Sequence, residues 1–270
     1  MLKGLIIFLV FATSLLGEEL RVGTLNCFLM FSPVVAHQGV VAAQNLLTPE
    51  QYSEKRINLI SLVKDCDFVG LQELGGREEA EDLAKTAGWD WVLTKGKDTY
   101  TGEQVGAIYH LPGWKVTRNG RVGDLDNVVS NHLLVTASKG GKTVRFLIVH
   151  LIRPIGKNRL KHEKQIAAIH GWAAKTHEQE PQTSIIIMGD TNDPTRWTDT
   201  SLFGLGKEAG ELIDFSPTHL DGRPYDRLVL IGPGSWSAVS VAQPPYGKRP
   251  NATLKRVWTD HFALKATLLP

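Results

Sequence analysis

The 270-residue sequence has little excess charge and lacks the patterns that support covalent catalysis. Lys and Arg together number 30 against 28 for Asp and Glu, which excludes nucleic-acid binding through bulk positive charge. A phosphate partner would therefore have to be held locally. A Gly-rich phosphate loop, a Cys nucleophile signature and a Ser nucleophile elbow are all missing. Covalent catalysis consequently has no candidate nucleophile.

Long apolar runs are missing except at the N-terminus. Leu5–Leu16 is an almost unbroken apolar run that follows Lys3 and stops at Glu18. About a dozen residues are too few for a helix to span a ~30 Å hydrocarbon core, but they fit the apolar region of a signal peptide. We expect residues 1–17 to be a signal peptide and the protein to be secreted or periplasmic, without a stable membrane anchor. A buried N-terminal helix or strand is the alternative.

The two cysteines, Cys27 and Cys66, are few for an exported protein. Cys27 ends one expected strand, whereas Cys66 precedes the next. If those strands are parallel neighbours, the two sulfurs lie at opposite ends of the sheet, too far apart for the ~7 Å Cα separation that a disulfide needs. We expect two free, mostly buried thiols.

The remaining pattern alternates short β-rich runs with turns, and few segments read as helices. The capping-box sequence Thr48–Gln51 predicts a helix to about Lys64, with Ile57 among its core-facing residues, and Arg159 to about Thr176 predicts an amphipathic helix with Leu160 on its buried face. Such a mixture predicts an α/β fold in which two packed mixed β-sheets are flanked by helices, a four-layer α-β-β-α sandwich. Residues 18–270 are expected to form this single domain.

The strongest polar motif follows an apolar run near residue 190. Gly189 ends the run, and Asp190 and Asn192 come at the expected strand tip. Gly permits a tight turn or the close approach of another backbone. Residues two apart on an extended segment point the same way, which places a base and a neutral hydrogen-bond donor on one reaction centre. A simple Asx turn is the alternative, because Asp and Asn favour turns for local reasons.

Two further strand ends carry carboxylates that suit a hard cation. Glu73 ends a short apolar strand, and Asp260 and His261 enter the last strand. Mg²⁺ takes one or two protein carboxylates and leaves its other positions to water and phosphate oxygens. Glu73 and Asp260 are therefore candidate ligands, while His261 is a candidate for proton transfer or for holding a phosphate oxygen. A merely solvated Glu73 is the alternative.

Three polar residues complete the candidate set. His150 closes an apolar run, Asp226 enters a strand, and Asn26 lies at the tip of the first strand. Asp226 could orient His261 by accepting its ring N–H. The alternatives are a core histidine at position 150, and a salt bridge from Asp226 to Arg223 or Arg227.

The order of these motifs resembles that of the endonuclease/exonuclease/phosphatase superfamily, which includes deoxyribonuclease I-like nucleases, exonuclease III-like enzymes, sphingomyelinases and inositol polyphosphate 5-phosphatases. The family pattern has Asn after strand one, Gln-Glu after strand two, His-Leu mid-chain, Gly-Asp-x-Asn, a later Asp and a near-terminal Ser-Asp-His. All six stand here in order, at Asn26, Gln72-Glu73, His150-Leu151, Gly189–Asn192, Asp226 and Thr259–His261. No single motif is specific, but six in order at plausible spacing are.

The resemblance implies that Glu73 and Asp260 bind a divalent metal, Mg²⁺ or Mn²⁺, and that Asn26 helps to hold metal or phosphate. It also implies that Asp190 activates the attacking water.

The resemblance further implies that Asn192 and His150 bind the phosphate in the transition state and that Asp226 pairs with His261. Thr259 replaces the usual Ser, which is a mild change. The usual Ile-Asp-Tyr is Tyr225-Asp226-Arg227 here, so Asp221 or His219 competes with Asp226 for its role.

The sequence leaves the substrate open among phosphate esters. A basic stretch after His150 predicts phosphate contacts beside the site, above all from Arg153 and Arg159; it comprises Arg153, Lys157, Arg159, Lys161 and Lys164. A solvated helix face is the alternative. We expect a monomeric phosphodiesterase or endonuclease acting on nucleic acid. The alternatives are a sphingomyelinase-like phospholipid hydrolase, a phosphomonoester hydrolase and a non-catalytic binding module, the last disfavoured by the intact motifs.

Overall fold

The computed structural model describes residues 18–34, 37, 39–95, 101–120, 122–129, 131–193, 206–209, 212, 216–246 and 252–269. The expected signal peptide, residues 1–17, lies outside the described residues.

The strands form two six-stranded mixed sheets. In chain order they are β1 (Leu20–Met30), β2 (Phe68–Leu74), β3 (Asp90–Leu93), β4 (Gln104–Tyr109), β5 (Lys115–Gly120), β6 (Asn131–Lys139), β7 (Lys142–His150), β8 (Ser184–Asp190), β9 (Gly206–Glu208), β10 (Asp226–Ile231), β11 (Ser235–Ala242) and β12 (Ala263–Leu269). The first sheet has the order β11-β12-β1-β2-β4-β3, and the second has the order β5-β6-β7-β8-β10-β9. The pairs β1–β2 and β7–β8 are parallel, whereas the other neighbours are antiparallel.

Helices cover the outer faces of both sheets. They are α1 (Val40–Gln44), α2 (Pro49–Val63), α3 (Arg77–Ala87), α4 (Gly123–Asp126), α5 (Arg159–Gln179) and α6 (Ala252–Val257). The expected capping box begins α2: the Thr48 side chain accepts from the Gln51 backbone N–H, and the Gln51 side chain accepts from the Thr48 backbone N–H. These contacts satisfy two N–H groups that a helix start leaves without an intrahelical partner.

Three apolar layers hold the sandwich together. The central layer lies between the sheets, where the Phe68 and Phe146 rings stack with centroids 3.8 Å apart. Gly70 allows this close approach, because a Cβ there would lie 2.8 Å from the sulfur of Met188. The outer layers pack α2 and α3 on the first sheet and α5 on the second. The expected four-layer sandwich is confirmed.

The prediction of burial was wrong for two residues. Ile57 is 61% exposed. Lys55 and Leu59 lie on the buried stripe of α2, and Ile57 is two residues from each of them, which places it about 200° around the helix. Leu160 is also 61% exposed, and it stands in the same relation to the buried His162 of α5. Polar side chains occupy part of the buried stripe, at Lys55 and at His162, and apolar periodicity alone does not show this.

The two cysteines agree with the sequence-based expectation. Cys27 and Cys66 are free and buried, and the parallel β1–β2 pairing places Cys66 beside Gly23, toward the other end of β1 from Cys27. Burial raises the pKa of each thiol to about 12. None of the described helices combines the length and apolar character that crossing a membrane requires.

Candidate active site

Strand directions bring the predicted polar residues to one edge of the sandwich. His150 and Asp190 are opposite each other at the ends of the parallel β7 and β8, and Asn26 is opposite Gln72 in the parallel β1 and β2. Because β10 and β12 run antiparallel to β8 and β1, their first residues lie at this same edge. The sandwich therefore gathers side chains from both sheets in one place.

Asp190 lies at the centre of this group, with a side chain only 2% exposed. Its Oδ2 accepts a hydrogen bond from Asn26 Nδ2 at 3.0 Å and stands 3.6 Å from Nε2 of both His150 and His261. Asn26 Nδ2 also donates to Glu73 Oε1 at 2.9 Å, so this buried amide joins the two sheets through two carboxylates.

The chain around Asp190 is fixed by close backbone packing. Gly189 has φ +135°, and a Cβ there would lie only 2.0 Å from the carbonyl oxygen of Val149, so glycine is required at this point. The backbone N–H of Asn192 donates to Asp190 Oδ1 at 2.7 Å. The Asx turn is thus present, and it coexists with the clustering of Asp190 among the other candidate residues.

Asn192 is held from both ends of its amide. Its Nδ2 donates to the carbonyl of Leu151 at 2.8 Å, and its Oδ1 accepts from Arg153 Nε at 3.1 Å. Asn192 has φ 53°, a region that Asn tolerates better than most residues. These contacts use one of the two hydrogens on Nδ2 of Asn192.

His261 pairs with Asp226, as the sequence interpretation expected. The ring Nδ1 lies 2.8 Å from Asp226 Oδ2, and both side chains are buried. Burial opposes protonation of the imidazole, but the Asp226 and Asp190 carboxylates outweigh it and raise the pKa of His261 to about 10. The alternative salt bridge is not observed: Arg223 instead donates to Tyr225, and Arg227 donates to the Asp193 carbonyl.

Asp260 is a buried carboxylate beside two imidazoles. Its Oδ2 lies 3.5 Å from His219 Nε2, and a backbone bridge between His219 and His261 sets the two rings 4.7 Å apart. Although burial opposes ionisation, the two histidines lower the pKa of Asp260. The Thr259 hydroxyl serves where Ser is usual, because it donates to the Asn26 carbonyl and accepts from the His261 N–H.

Glu73 and His150 form the other side of the site. Glu73 Oε1 lies 3.8 Å from His150 Nε2, and Glu103 Oε2 lies 3.9 Å from His150 Nδ1. Glu73 has φ 58°, and its Oε2 accepts from the backbone N–H of Leu29 at 2.9 Å. Glu73 is therefore oriented by contacts, which contradicts the interpretation of a merely solvated carboxylate.

The side chains of the site include donor groups that a divalent metal ion would bind. Among the described residues, two groups have ligating atoms within 4.8 Å of one another: His219, Asp260 and His261, and Glu73, Glu103 and His150. Each group contains one of the two predicted carboxylate ligands. Within the part of the chain that the structure describes, the buried Oδ1 of Asp260 has no hydrogen-bond partner, as expected for an oxygen that a cation would bind.

A cleft of about 640 Å³ opens onto this group. Its lining includes Glu73, His150, Asn192, Asp260 and His261, together with Phe28 and Leu29 of β1. Arg153 and Lys161 also line it. Arg159 does not face the cleft: its side chain is 78% exposed and pairs with Glu163, so its contact with substrate stays a prediction. A second cleft, of about 740 Å³ beside α3, contains none of the candidate residues.

Comparison with known structures identifies the fold. TDP2 from D. rerio, in complex with a single-strand DNA product, matches with TM-score 0.62 at 14% identity, covering 93% of this chain and 99% of that chain. An endonuclease/exonuclease/phosphatase from Bacteroides vulgatus matches with TM-score 0.61 at 15% identity, covering 93% and 99%. The chain has the endonuclease/exonuclease/phosphatase fold. The mannosyl-6-phosphatase Bt3783 from Bacteroides thetaiotaomicron matches it with TM-score 0.61 at 15% identity, covering 93% and 100%. No protein-family model and no curated protein matches the sequence.

Within this endonuclease/exonuclease/phosphatase fold, sequence reasoning missed the place of Glu103 and misjudged that of His219. Glu103 directly precedes β4, whose antiparallel pairing with β2 brings it to the site, and this pairing has no signal in the sequence. His219 was expected to compete with Asp226 for His261, but it lies beside Asp260 instead. Asp221 lies beyond it, 2.9 Å from His219 Nδ1.

Proposed function

We propose that this protein is a divalent-metal-dependent phosphoesterase. The observation that carries the proposal is the convergence on Asp190, a buried carboxylate held by Asn26 between His150 and His261, with Glu73 and Asp260 at hand. Glu73 and Asp260 would hold Mg²⁺ or Mn²⁺, which when bound neutralises phosphate oxygens and orients the substrate. This chemistry requires positioning and electrostatic stabilisation rather than a covalent nucleophile.

The roles of the protein groups follow from their surroundings. Asp190 orients and deprotonates the attacking water, because the Asn26 and Asn192 contacts fix its carboxylate while its Oδ2 remains beside both histidines. His261, kept protonated by Asp226, donates to a phosphate oxygen or to the leaving group. His150 and the remaining amide hydrogen of Asn192 bind the phosphate.

Nucleic acid is the first proposed substrate. Arg153 and Lys161 line the cleft, where two cations beside the scissile phosphate would contact neighbouring phosphates. The D. rerio TDP2 to which this chain is similar in fold was crystallised with a single-strand DNA product, which supports the same substrate class.

A second candidate is a phosphate ester with an apolar or sugar group. The lining of the cleft also includes apolar side chains, among them those of Phe28, Leu29 and Val41. The similarity in fold to a mannosyl-6-phosphatase supports a phosphomonoester, and the apolar residues of the lining support a phospholipid.

One activity panel separates these candidates. It comprises single-stranded DNA, plasmid DNA, RNA, sphingomyelin, bis-(p-nitrophenyl) phosphate and p-nitrophenyl phosphate, each assayed with Mg²⁺, Mn²⁺ or EDTA. We expect hydrolysis of the nucleic acids and of the diester, loss of activity in EDTA, and recovery when metal returns. Full activity in EDTA would overturn the metal requirement, and hydrolysis of sphingomyelin or the monoester alone would replace nucleic acid as the substrate.

Export is part of the proposal, and it rests on the apolar run Leu5–Leu16 that Glu18 ends. N-terminal sequencing of the protein recovered outside the cytoplasm should begin close to Glu18. An intact Met1 on protein found only in the cytoplasm would refute export.

A further inference from the structure

Lys55 is a cation buried directly behind the candidate metal ligands. It lies on the inner face of α2 and is completely buried, an arrangement that is rare for lysine unless its charge is compensated. Its Nζ donates to the carbonyl of Phe28 at 2.9 Å and to the carbonyl of Arg256 at 3.3 Å. These two carbonyls belong to segments 228 residues apart in the sequence, each of which leads to a candidate ligand.

The first segment is a turn within β1 that orients Asn26 and Glu73. Phe28 and Leu29 have φ of 49° and 51°, a left-handed conformation that is unfavourable for residues with bulky side chains. This turn directs the Phe28 N–H to Asn26 Oδ1 and the Leu29 N–H to Glu73 Oε2, both at 2.9 Å. The Lys55 ammonium holds the carbonyl of the same turn and lies 5.5 Å from the centroid of the Phe28 ring.

The second segment is the C-terminal end of α6, which leads into Asp260. The last carbonyls of a helix carry partial negative charge and lack intrahelical donors. Lys55 Nζ donates to Arg256 O, and Asn58, three residues further along α2, donates to Val257 O at 2.9 Å. The chain then passes through Thr259, which donates to the Asn26 carbonyl, and reaches Asp260.

We propose that Lys55 is a positioning residue of this site, whose buried ammonium joins the Phe28 turn to the end of α6 and so fixes Glu73 relative to Asp260. The proposal rests on the proposed function only where metal binding is the readout. Burial lowers the pKa of Lys55 to about 8, although the nearby carboxyl groups of Asp260 and Glu73 oppose this effect.

The test replaces the ammonium with an apolar group of similar length, Lys55→Met. The matched control is Leu59→Ala, which removes a buried apolar side chain one turn further along α2 and leaves both carbonyl contacts in place. Amide hydrogen exchange at Phe28 and Leu29, measured in metal-free protein, reports on the turn itself. Mn²⁺ affinity, measured by electron paramagnetic resonance, reports on the arrangement of the ligands.

We expect Lys55→Met to speed exchange at the Phe28 and Leu29 amides and to weaken Mn²⁺ binding by about 10–100-fold, the loss typical when a group that orients metal ligands is removed. Leu59→Ala should leave both quantities near their wild-type values. If Lys55→Met does not fold, Lys55→Gln, which keeps a shorter neutral donor, should show the same direction.

The proposal would be overturned if the Phe28 and Leu29 amides of Lys55→Met exchanged at the wild-type rate. It would also be overturned if Leu59→Ala changed these exchange rates as much as Lys55→Met does. Failure of the wild-type protein to bind Mn²⁺ would instead contradict the proposed function, and the exchange measurement would still decide the role of Lys55.

Discussion

At the scale of single residues, the Asp226–His261–Asp190 group determines where protons reside. His261 has one carboxylate at hydrogen-bond distance from Nδ1 and another 3.6 Å from Nε2, so its protonated form is stabilised from both sides of the ring. A protonated imidazole 3.6 Å from the side-chain oxygen of Asp190 would provide an acid and a base within one site.

This arrangement predicts the result of Asp226→Asn in the metal-free protein. Removing the carboxylate should lower the pKa of His261 from about 10 by about 1–3 units. The raised pKa of His261 stabilises the folded protein fully below the ordinary histidine value of 6.5, and this stabilisation is lost as pH rises through about 10. NMR titration of the His261 ring measures the shift, and an unchanged pKa in the variant would contradict the role of Asp226.

Glu73→Gln tests the metal ligand at the same scale. The amide keeps the shape of the side chain but removes its charge, so the Mg²⁺ concentration for half-maximal activity should rise by about tenfold or more. The control is Glu81→Gln, which removes an exposed carboxylate of α3 that pairs with Arg77 and Lys85. Equal metal requirements in the two variants would show that Glu73 does not bind the metal.

At the scale of elements, the positions where strands end could be predicted, but the pairing between strands could not. Apolar runs that stop at Asp190 and at Glu73 gave both positions, because a buried strand that meets a polar residue has reached its end. Glu103 and His219 enter the site through the β2–β4 pairing and an isolated bridge, and long-range pairing leaves no periodic signal. Short elements such as β5, β9 and α6 were not predicted, because they are too short to show a full period of apolar residues.

Gly189→Ala tests how tightly β7 and β8 approach each other. The added Cβ would collide with the Val149 carbonyl, and alanine is strained at φ +135°, so unfolding free energy should fall by about 3 kcal/mol or more. Gly171→Ala, within α5, is the control: nothing lies within 4 Å of its added Cβ, and the change should stabilise by up to about 1 kcal/mol. Urea denaturation of both variants makes the comparison, and equal stabilities would contradict the described packing.

At the scale of the whole molecule, the site lies where the two sheets meet. Asn26 of the first sheet bonds Asp190 of the second, and Thr259 ties the last strand to the first. The sandwich class followed from composition and alternation of runs, but the facing of the sheets is fixed by contacts such as Phe68 on Phe146, which no local pattern reveals.

Metal should therefore stabilise the entire fold. A ligand at one hundred times its Kd contributes about 2.7 kcal/mol, which for a domain of this size raises Tm by about 5–10 °C. Differential scanning calorimetry in Mg²⁺ and in EDTA measures this difference. The difference in Tm should largely disappear in Glu73→Gln and persist in Glu81→Gln. A wild-type Tm that does not change with Mg²⁺ would contradict a metal site between the two sheets.

Asp190→Asn tests most directly whether Asp190 activates water for phosphoester hydrolysis. The substitution keeps the size of the side chain and removes the base, so kcat for bis-(p-nitrophenyl) phosphate should fall by at least about 10², the lower end of general acid–base assistance. Circular dichroism of the variant, measured alongside kcat, should match the wild-type spectrum. A variant that folds normally and keeps more than about a tenth of the activity would contradict the mechanism.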